Sequence, residues 1–115
     1  MSNSKYKKVL CVCLANKLRS PTMAWVLSNP PWNYNTRSCG IDQQSAIVLL
    51  SASLLLWADE IVCADAEHER CVRALLQRYG VQKKIVCLDI PDMYEYRDHE
   101  LIALIEERYQ TISDV

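Results

Sequence analysis

Three short stretches, Val9-Leu10-Cys11-Val12, Ile61-Val62-Cys63-Ala64 and Ile85-Val86-Cys87-Leu88, are apolar at every position. A strand with one wet face alternates apolar and polar residues, whereas a strand apolar throughout has to be covered on both faces. Parallel sheets packed between helices meet that condition, and the intervening sequence supplies the helices. Pro21 to Leu27 and Ala46 to Trp57 both fit helices, the second apolar almost all round. After Asp65, a residue suited to an N-cap, Cys71, Val72, Leu75, Leu76 and Tyr79 form a stripe that stops at Gly80. Asp98 is placed to cap a last helix whose Leu101, Ile102, Leu104, Ile105 and Tyr109 face inward. A weaker fourth strand fits Tyr34 to Ser38, ending at Cys39-Gly40. The alternation predicts a single α/β domain over residues 1–115, three layers deep, with about four parallel strands and helices on both faces.

In such folds ligands gather beyond the C-terminal ends of the strands. The loop that begins at Cys13 and the loop that follows Leu88 should therefore meet at one rim. The first of these reads Cys13-Leu14-Ala15-Asn16-Lys17-Leu18-Arg19-Ser20-Pro21. Backbone amides of such a loop and the N-terminus of the next helix converge on one spot that favours an anion. That is also the setting in which a cysteine serves as a thiolate nucleophile. Arg19 adds a planar fork able to grip two phosphate oxygens. Of the six cysteines, Cys13 alone has an arginine six positions on, ends an apolar strand and precedes a helix start. Ser20 is read as the N-cap and Pro21 as the first helical turn. Asn16 tolerates the left-handed conformation that a tight anion cradle needs.

The second loop, Leu88-Asp89-Ile90-Pro91-Asp92-Met93-Tyr94-Glu95-Tyr96, offers carboxylates next to a proline and aromatic rings. A cysteine that displaces an alcohol from phosphorus needs an acid to protonate the leaving oxygen, and the same group, as base, then activates water. Asp92 is the choice, stiffened by Pro91 and followed by Tyr94 as an aromatic wall. Asp89, at the strand end, is placed to hold the loop or Arg19. His68 and His99 each fall in the first turn of a predicted helix, where a structural role is expected over a catalytic one.

A net charge of −1 over 115 residues gives no electrostatic case for nucleic acid or an anionic membrane. The longest apolar stretch, Ala46 to Ala58, is broken by Ser51 and Ser53 and is too short for a bilayer, which takes ~20 residues; it reads as a buried helical region. Met1 to Lys8 has no signal-peptide character. Six cysteines without metal-type pairing point to free thiols in a reducing cytoplasm, with no metal and no cofactor. Nothing in the sequence speaks to oligomeric state.

These residues resemble the low-molecular-weight protein tyrosine phosphatases. In place of the family signature Val-Cys-x-Gly-Asn-x-Cys-Arg-Ser-Pro stands Val12-Cys13-Leu14-Ala15-Asn16-Lys17-Leu18-Arg19-Ser20-Pro21, and Arg37-Ser38-Cys39-Gly40 is similar to the family's Ser-Ala-Gly. Trp57 to Val62 and Pro91-Asp92-Met93-Tyr94 continue the likeness, the latter standing where the family has its Asp-Pro-Tyr acid loop. A small bacterial and phage group of predicted tyrosine phosphatases carries the similar Asn-x-x-Arg-Ser-Pro-Thr and Ile-Pro-Asp-x-Tyr.

The resemblance implies a phosphomonoester hydrolase working through a cysteinyl-phosphate on a phosphorylated protein or small aryl phosphate. Cys13 would be the nucleophile, Arg19 the phosphate clamp and Asp92 the general acid. Leu14, Ala15, Asn16, Lys17 and Leu18 would form the phosphate loop, with Asn16 holding it and the Ser20 hydroxyl stabilising the thiolate; Tyr94 would contact substrate.

The departures are Ala15 for glycine, Leu18 for the family's second cysteine, Met93 for proline, and Glu95 where many members have a second tyrosine. Glu95 would discourage acidic phosphopeptides, and Lys17 at the loop's lip would favour them. Two other functions are compatible with the same loop: an arsenate reductase of this fold, which needs resolving cysteines near Cys13, and a phosphate-binding module with weak catalysis.

Overall fold

A computed structural model describes residues 6–113. Four strands, β1 (Lys8–Cys13), β2 (Asn35–Gly40), β3 (Glu60–Cys63) and β4 (Lys84–Cys87), alternate with four helices, α1 (Arg19–Leu27), α2 (Ala52–Trp57), α3 (Ala66–Tyr79) and α4 (His99–Ser113). All strands are parallel, in the order β2-β1-β3-β4. The chain leaves β1 for β2 on one side and later returns past it to β3 on the other, so the end of β1 is the topological switch point where α/β folds bind ligands.

Alternation along β1 splits its side chains between two cores. Val9, Cys11 and Cys13 pack with Met23, Val26 and Leu27 of α1 and Leu101, Ile105 and Tyr109 of α4. Leu10 and Val12 pack on the opposite face with Leu55 of α2 and Val72 and Leu76 of α3. Each fully buried aliphatic side chain contributes roughly 1.5–3 kcal/mol, which is why the uniformly apolar strands occupy the middle layer. Beneath the sheet, the buried Glu60 accepts from Lys7 Nζ and from Tyr109 Oη at 3.0 Å, tying the residue before β1 to β3 and α4.

Local signals set most helix ends. Asp65 caps α3 by accepting from Glu67 and His68 N–H, and Nδ1 of His68 accepts from Asp65 N–H to complete a capping box. Gly80 ends α3 at φ 67°, a left-handed conformation that glycine adopts without strain. Asp98 Oδ1 accepts from Glu100 N–H at the start of α4.

Two expectations need correction. The stretch Ala46 to Trp57 is not one buried helix. Ser51 caps a helix of only six residues, Ala52–Trp57, and Ile47, Val48 and Leu49 lie exposed in the preceding loop. Tyr79, placed in the inward stripe of α3, is exposed. Among the described residues no helix is long and apolar enough to cross a membrane.

Candidate active site

Cys13 closes β1, and the next five residues turn back over its sulfur before α1 begins at Arg19. The carbonyls of Cys13, Leu14 and Ala15 accept from the N–H groups of Ile41, Asp42 and Ile47, at 3.0, 3.0 and 3.3 Å. In a trans peptide the carbonyl and the following N–H point in opposite directions. Fastening those carbonyls to segment 41–47 therefore turns the N–H groups of Leu14, Ala15 and Asn16 to the concave side. The last of these already donates to Cys13 Sγ at 3.2 Å.

Asn16 is in the left-handed region, φ 58°, as its sequence position implied. Its buried amide is fully engaged: Nδ2 donates to Ser20 Oγ (3.0 Å) and Ser38 Oγ (2.9 Å), and Oδ1 accepts from Val48 N–H (3.1 Å). Ser20 is not the N-cap of α1. The helix begins two residues earlier than expected, at Arg19, with Leu18 at the cap position and no side-chain cap. The Ser20 hydroxyl is turned instead toward the site, 3.1 Å from Cys13 Sγ, and donates to Cys39 carbonyl at 3.1 Å.

Gly40 lies directly behind the loop. A Cβ placed on it would sit 2.5 Å from Leu14 carbonyl oxygen and 2.9 Å from Asn16 nitrogen, so no other residue fits without moving the loop backbone.

Arg19 is buried, and its guanidinium is held from two elements. Nη1 donates to Asp65 Oδ2 (3.1 Å) and to Ile90 carbonyl (3.0 Å), while Nη2 lies 3.6 Å from Asp92 Oδ2. Asp65 thus does two jobs, one oxygen capping α3 and the other orienting Arg19. Burial works against its ionisation, but the His68 ring and the Arg19 guanidinium prevail and hold its carboxyl below the usual range. Burial, with Arg19 adding to it, pushes the His68 imidazole down against the pull of Asp65. Nδ1 of His68 accepts from Asp65 N–H at 3.2 Å, so the approach of the ring to Asp65 also closes the cap. Asp65, Glu67 and His68 stand close together, with the Asp65 carboxylate and His68 Nδ1 already engaged in the cap and with Arg19.

Cys13, Leu14, Ala15, Lys17, Leu18, Arg19 and Asp92 line one cavity of about 180 Å³. Asn16 and Ser20 stand behind it. Tyr94 is outside this lining: it is half-buried against the α1–α4 core, which leaves Met93 and Tyr96 as the exposed large side chains of that loop. Asp89 does not reach Arg19 through the contacts found; its carbonyl accepts from Arg108 Nη1, which also takes Leu88 carbonyl at 2.8 Å. A larger hollow of about 580 Å³ lies between α3 and β4, but its cations are occupied, Arg73 with Glu69 and Lys83 with the carbonyls of Leu56 and Ala58.

Sequence reasoning missed Asp65 as the partner of Arg19, Ser38 as a partner of Asn16, and the strap at 41–48. None has a local signature, because each acts across the fold. Three of the other thiols are poorly suited to chemistry at this site. Cys39 and Cys63 pack on the opposite face of the sheet from Cys13, and burial pushes Cys39 up to about 12 and raises Cys63 and Cys11 well above the ordinary thiol range.

No family model and no curated protein matches the chain. Solved structures do. Wzb of Vibrio vulnificus, in complex with benzylphosphonate, superposes with a TM-score of 0.70 at 21% identity over 95% of this chain and 98% of its own. SP-PTP, the low molecular weight protein tyrosine phosphatase from Streptococcus pyogenes, gives 0.67 at 18% identity over 95% and 93%. The YwlE arginine phosphatase from Geobacillus stearothermophilus gives 0.63 at 19% identity over 91% and 94%. The architecture and the loop after its first strand therefore give this chain the fold of the low-molecular-weight protein tyrosine phosphatases.

Proposed function

We propose that this chain is a cysteine-dependent phosphomonoester hydrolase of the protein tyrosine phosphatase type, acting on a phosphorylated protein or a small aryl phosphate in the cytoplasm. One observation carries this: Cys13, Arg19 and Asp92 line one cavity, with a loop amide and the Ser20 hydroxyl already directed at the sulfur.

In the first step the Cys13 thiolate attacks phosphorus, the S–P bond forms and the P–O bond to the alcohol breaks. Asp92 delivers its proton to the departing oxygen. The Arg19 fork and the loop amides bind the non-bridging oxygens, whose charge they stabilise in the transition state. In the second step water attacks phosphorus, Asp92 takes its proton, the S–P bond breaks and phosphate leaves with Cys13 again a thiolate. As the thiolate forms, the Ser20 hydrogen turns from Cys39 carbonyl to the sulfur, while Asn16 keeps the oxygen in place. An arsenate reductase would need a second thiol able to reach Cys13, and the placement of Cys39 and Cys63 across the sheet counts against it.

Hydrolysis of p-nitrophenyl phosphate and phosphotyrosyl peptides, with arsenate reduction alongside, tests this. Cys13→Ser should abolish turnover yet keep vanadate binding, and Arg19→Ala should lose both. Full activity in Cys13→Ser would refute the assignment.

A further inference from the structure

The loop that carries Asp92 is exposed over most of its length, from Pro91 to Arg97, with Tyr94 half-buried. Each of its ends holds a non-glycine residue in the left-handed region, Asp89 at φ 56° and Arg97 at φ 58°. Such residues persist only where their surroundings hold them. Asp89 is held by Arg108 of α4. The restraint on Arg97 comes from α1. Thr22 Oγ1 accepts from Arg97 N–H at 3.0 Å, and the Arg97 guanidinium lies 4.3 Å from the centre of the Trp25 ring and 5.0 Å from that of Tyr96.

Thr22 and Trp25 are three residues apart and so share a face of α1. Thr22 Oγ1 also donates to Leu18 carbonyl at 2.7 Å, and Leu18 lines the cavity. The far end of the acid loop is thereby fastened to the same helix whose first turn supplies Arg19. We propose that the Trp25–Arg97 stack and the Thr22–Arg97 hydrogen bond form a latch that fixes the reach of Asp92 over the phosphate loop. Arg97 and Trp25 are then positioning residues for proton transfer, and touch neither substrate nor phosphate.

The latch rests on Asp92 being the general acid, so its signature is dependence on the leaving group. A poor leaving group such as phenolate needs the proton, and dinitrophenolate hardly does. Arg97→Ala and Trp25→Ala should lower kcat on phenyl phosphate about three- to tenfold, the scale of one lost cation–π contact. Turnover of dinitrophenyl phosphate should stay within about twofold, and inhibition by inorganic phosphate should not change. Trp25→Phe and Arg97→Lys, which keep a ring and a cation, should recover most of the loss. Placed on Asp92→Asn, Arg97→Ala should cost nothing more. Equal losses on both substrates, weaker phosphate inhibition, or a further loss on the Asp92→Asn background would each overturn the latch. If Asp92→Asn itself shows no leaving-group dependence, the acid assignment fails instead, and the two failures are told apart by that one variant.

Discussion

The two loops that meet at the cavity are built on opposite plans. In the phosphate loop Cys13, Asn16, Arg19 and Ser20 are no more than 4% exposed, and nearly every polar atom has a partner inside the fold. In the acid loop Asp92 is 56% exposed and Met93 72%, and apart from the Arg19–Asp92 approach and the packing of Tyr94 the restraints lie at the ends. The difference follows from the work proposed for each. Stabilising an anion requires dipoles fixed before the anion arrives, since reorienting them during reaction would cost much of what they contribute. A group that protonates a leaving oxygen and then activates water has to stay open to both.

The contrast predicts distinct kinetic signatures. The largest effect should come from the exposed loop. Asp92→Asn should slow turnover by roughly 10²–10⁴-fold on aryl phosphates with poor leaving groups, with much less loss on good ones and no loss of phosphate binding. Should Asp89→Asn prove the more damaging change, the acid has been assigned to the wrong carboxylate.

Damage behind the phosphate loop should look different. Gly40→Ala drives a Cβ against the backbone of residues 14–16. Displacing the cradle by a few tenths of an ångström to an ångström should cost on the order of 10²-fold in kcat/KM. The loss should be the same for every leaving group and should be matched by weaker inhibition by phosphate. A Gly40→Ala enzyme that binds phosphate normally would show that the loop is not held as tightly as its contacts imply.

The smallest effect separates stability from chemistry. His68 has its pKa depressed in the folded protein, chiefly by burial. The unfolded chain therefore takes up a proton near pH 6.5 that the folded protein resists. Stability is fully present above that pH and falls as pH drops below it, by at most about 1.4 kcal/mol per pH unit for one proton. Asp65, also depressed, extends the loss as pH falls below 3.8. Urea midpoints measured from pH 7.5 down to 5 should decline, and His68→Gln should flatten the decline. An unchanged slope in that variant would assign the decline to other groups.

Where local chemistry decides structure, the sequence was a sound guide. The apolar runs became the parallel strands within a residue or two, Asp65 and Gly80 bounded α3, and Asn16 took the left-handed turn. It misled where a residue answers to a distant partner. Ser20 before Pro21 looks like a cap, yet its hydroxyl serves Cys13, because a buried hydroxyl goes to whatever acceptor or donor the fold brings near it. Ala46 to Leu50 has the composition of a buried helix, but its backbone is spent on Gly40, Ala15 and Asn16, which leaves Ile47 70% exposed.

The sequence by itself determined the layers, the order of elements and the presence of a thiol, a guanidinium and a carboxylate at strand ends, since these follow from periodicity, capping and residue chemistry acting over a few positions. Only the tertiary structure decided which carboxylate orients Arg19, which strap turns the loop amides inward and what fastens the acid loop to α1. The contacts that hold Arg19 and the acid loop join residues 46, 71 and 75 positions apart in Arg19–Asp65, Arg19–Ile90 and Thr22–Arg97. Each exists because packing the helices on a parallel sheet brings its two ends together, and no local preference in the chain encodes that meeting.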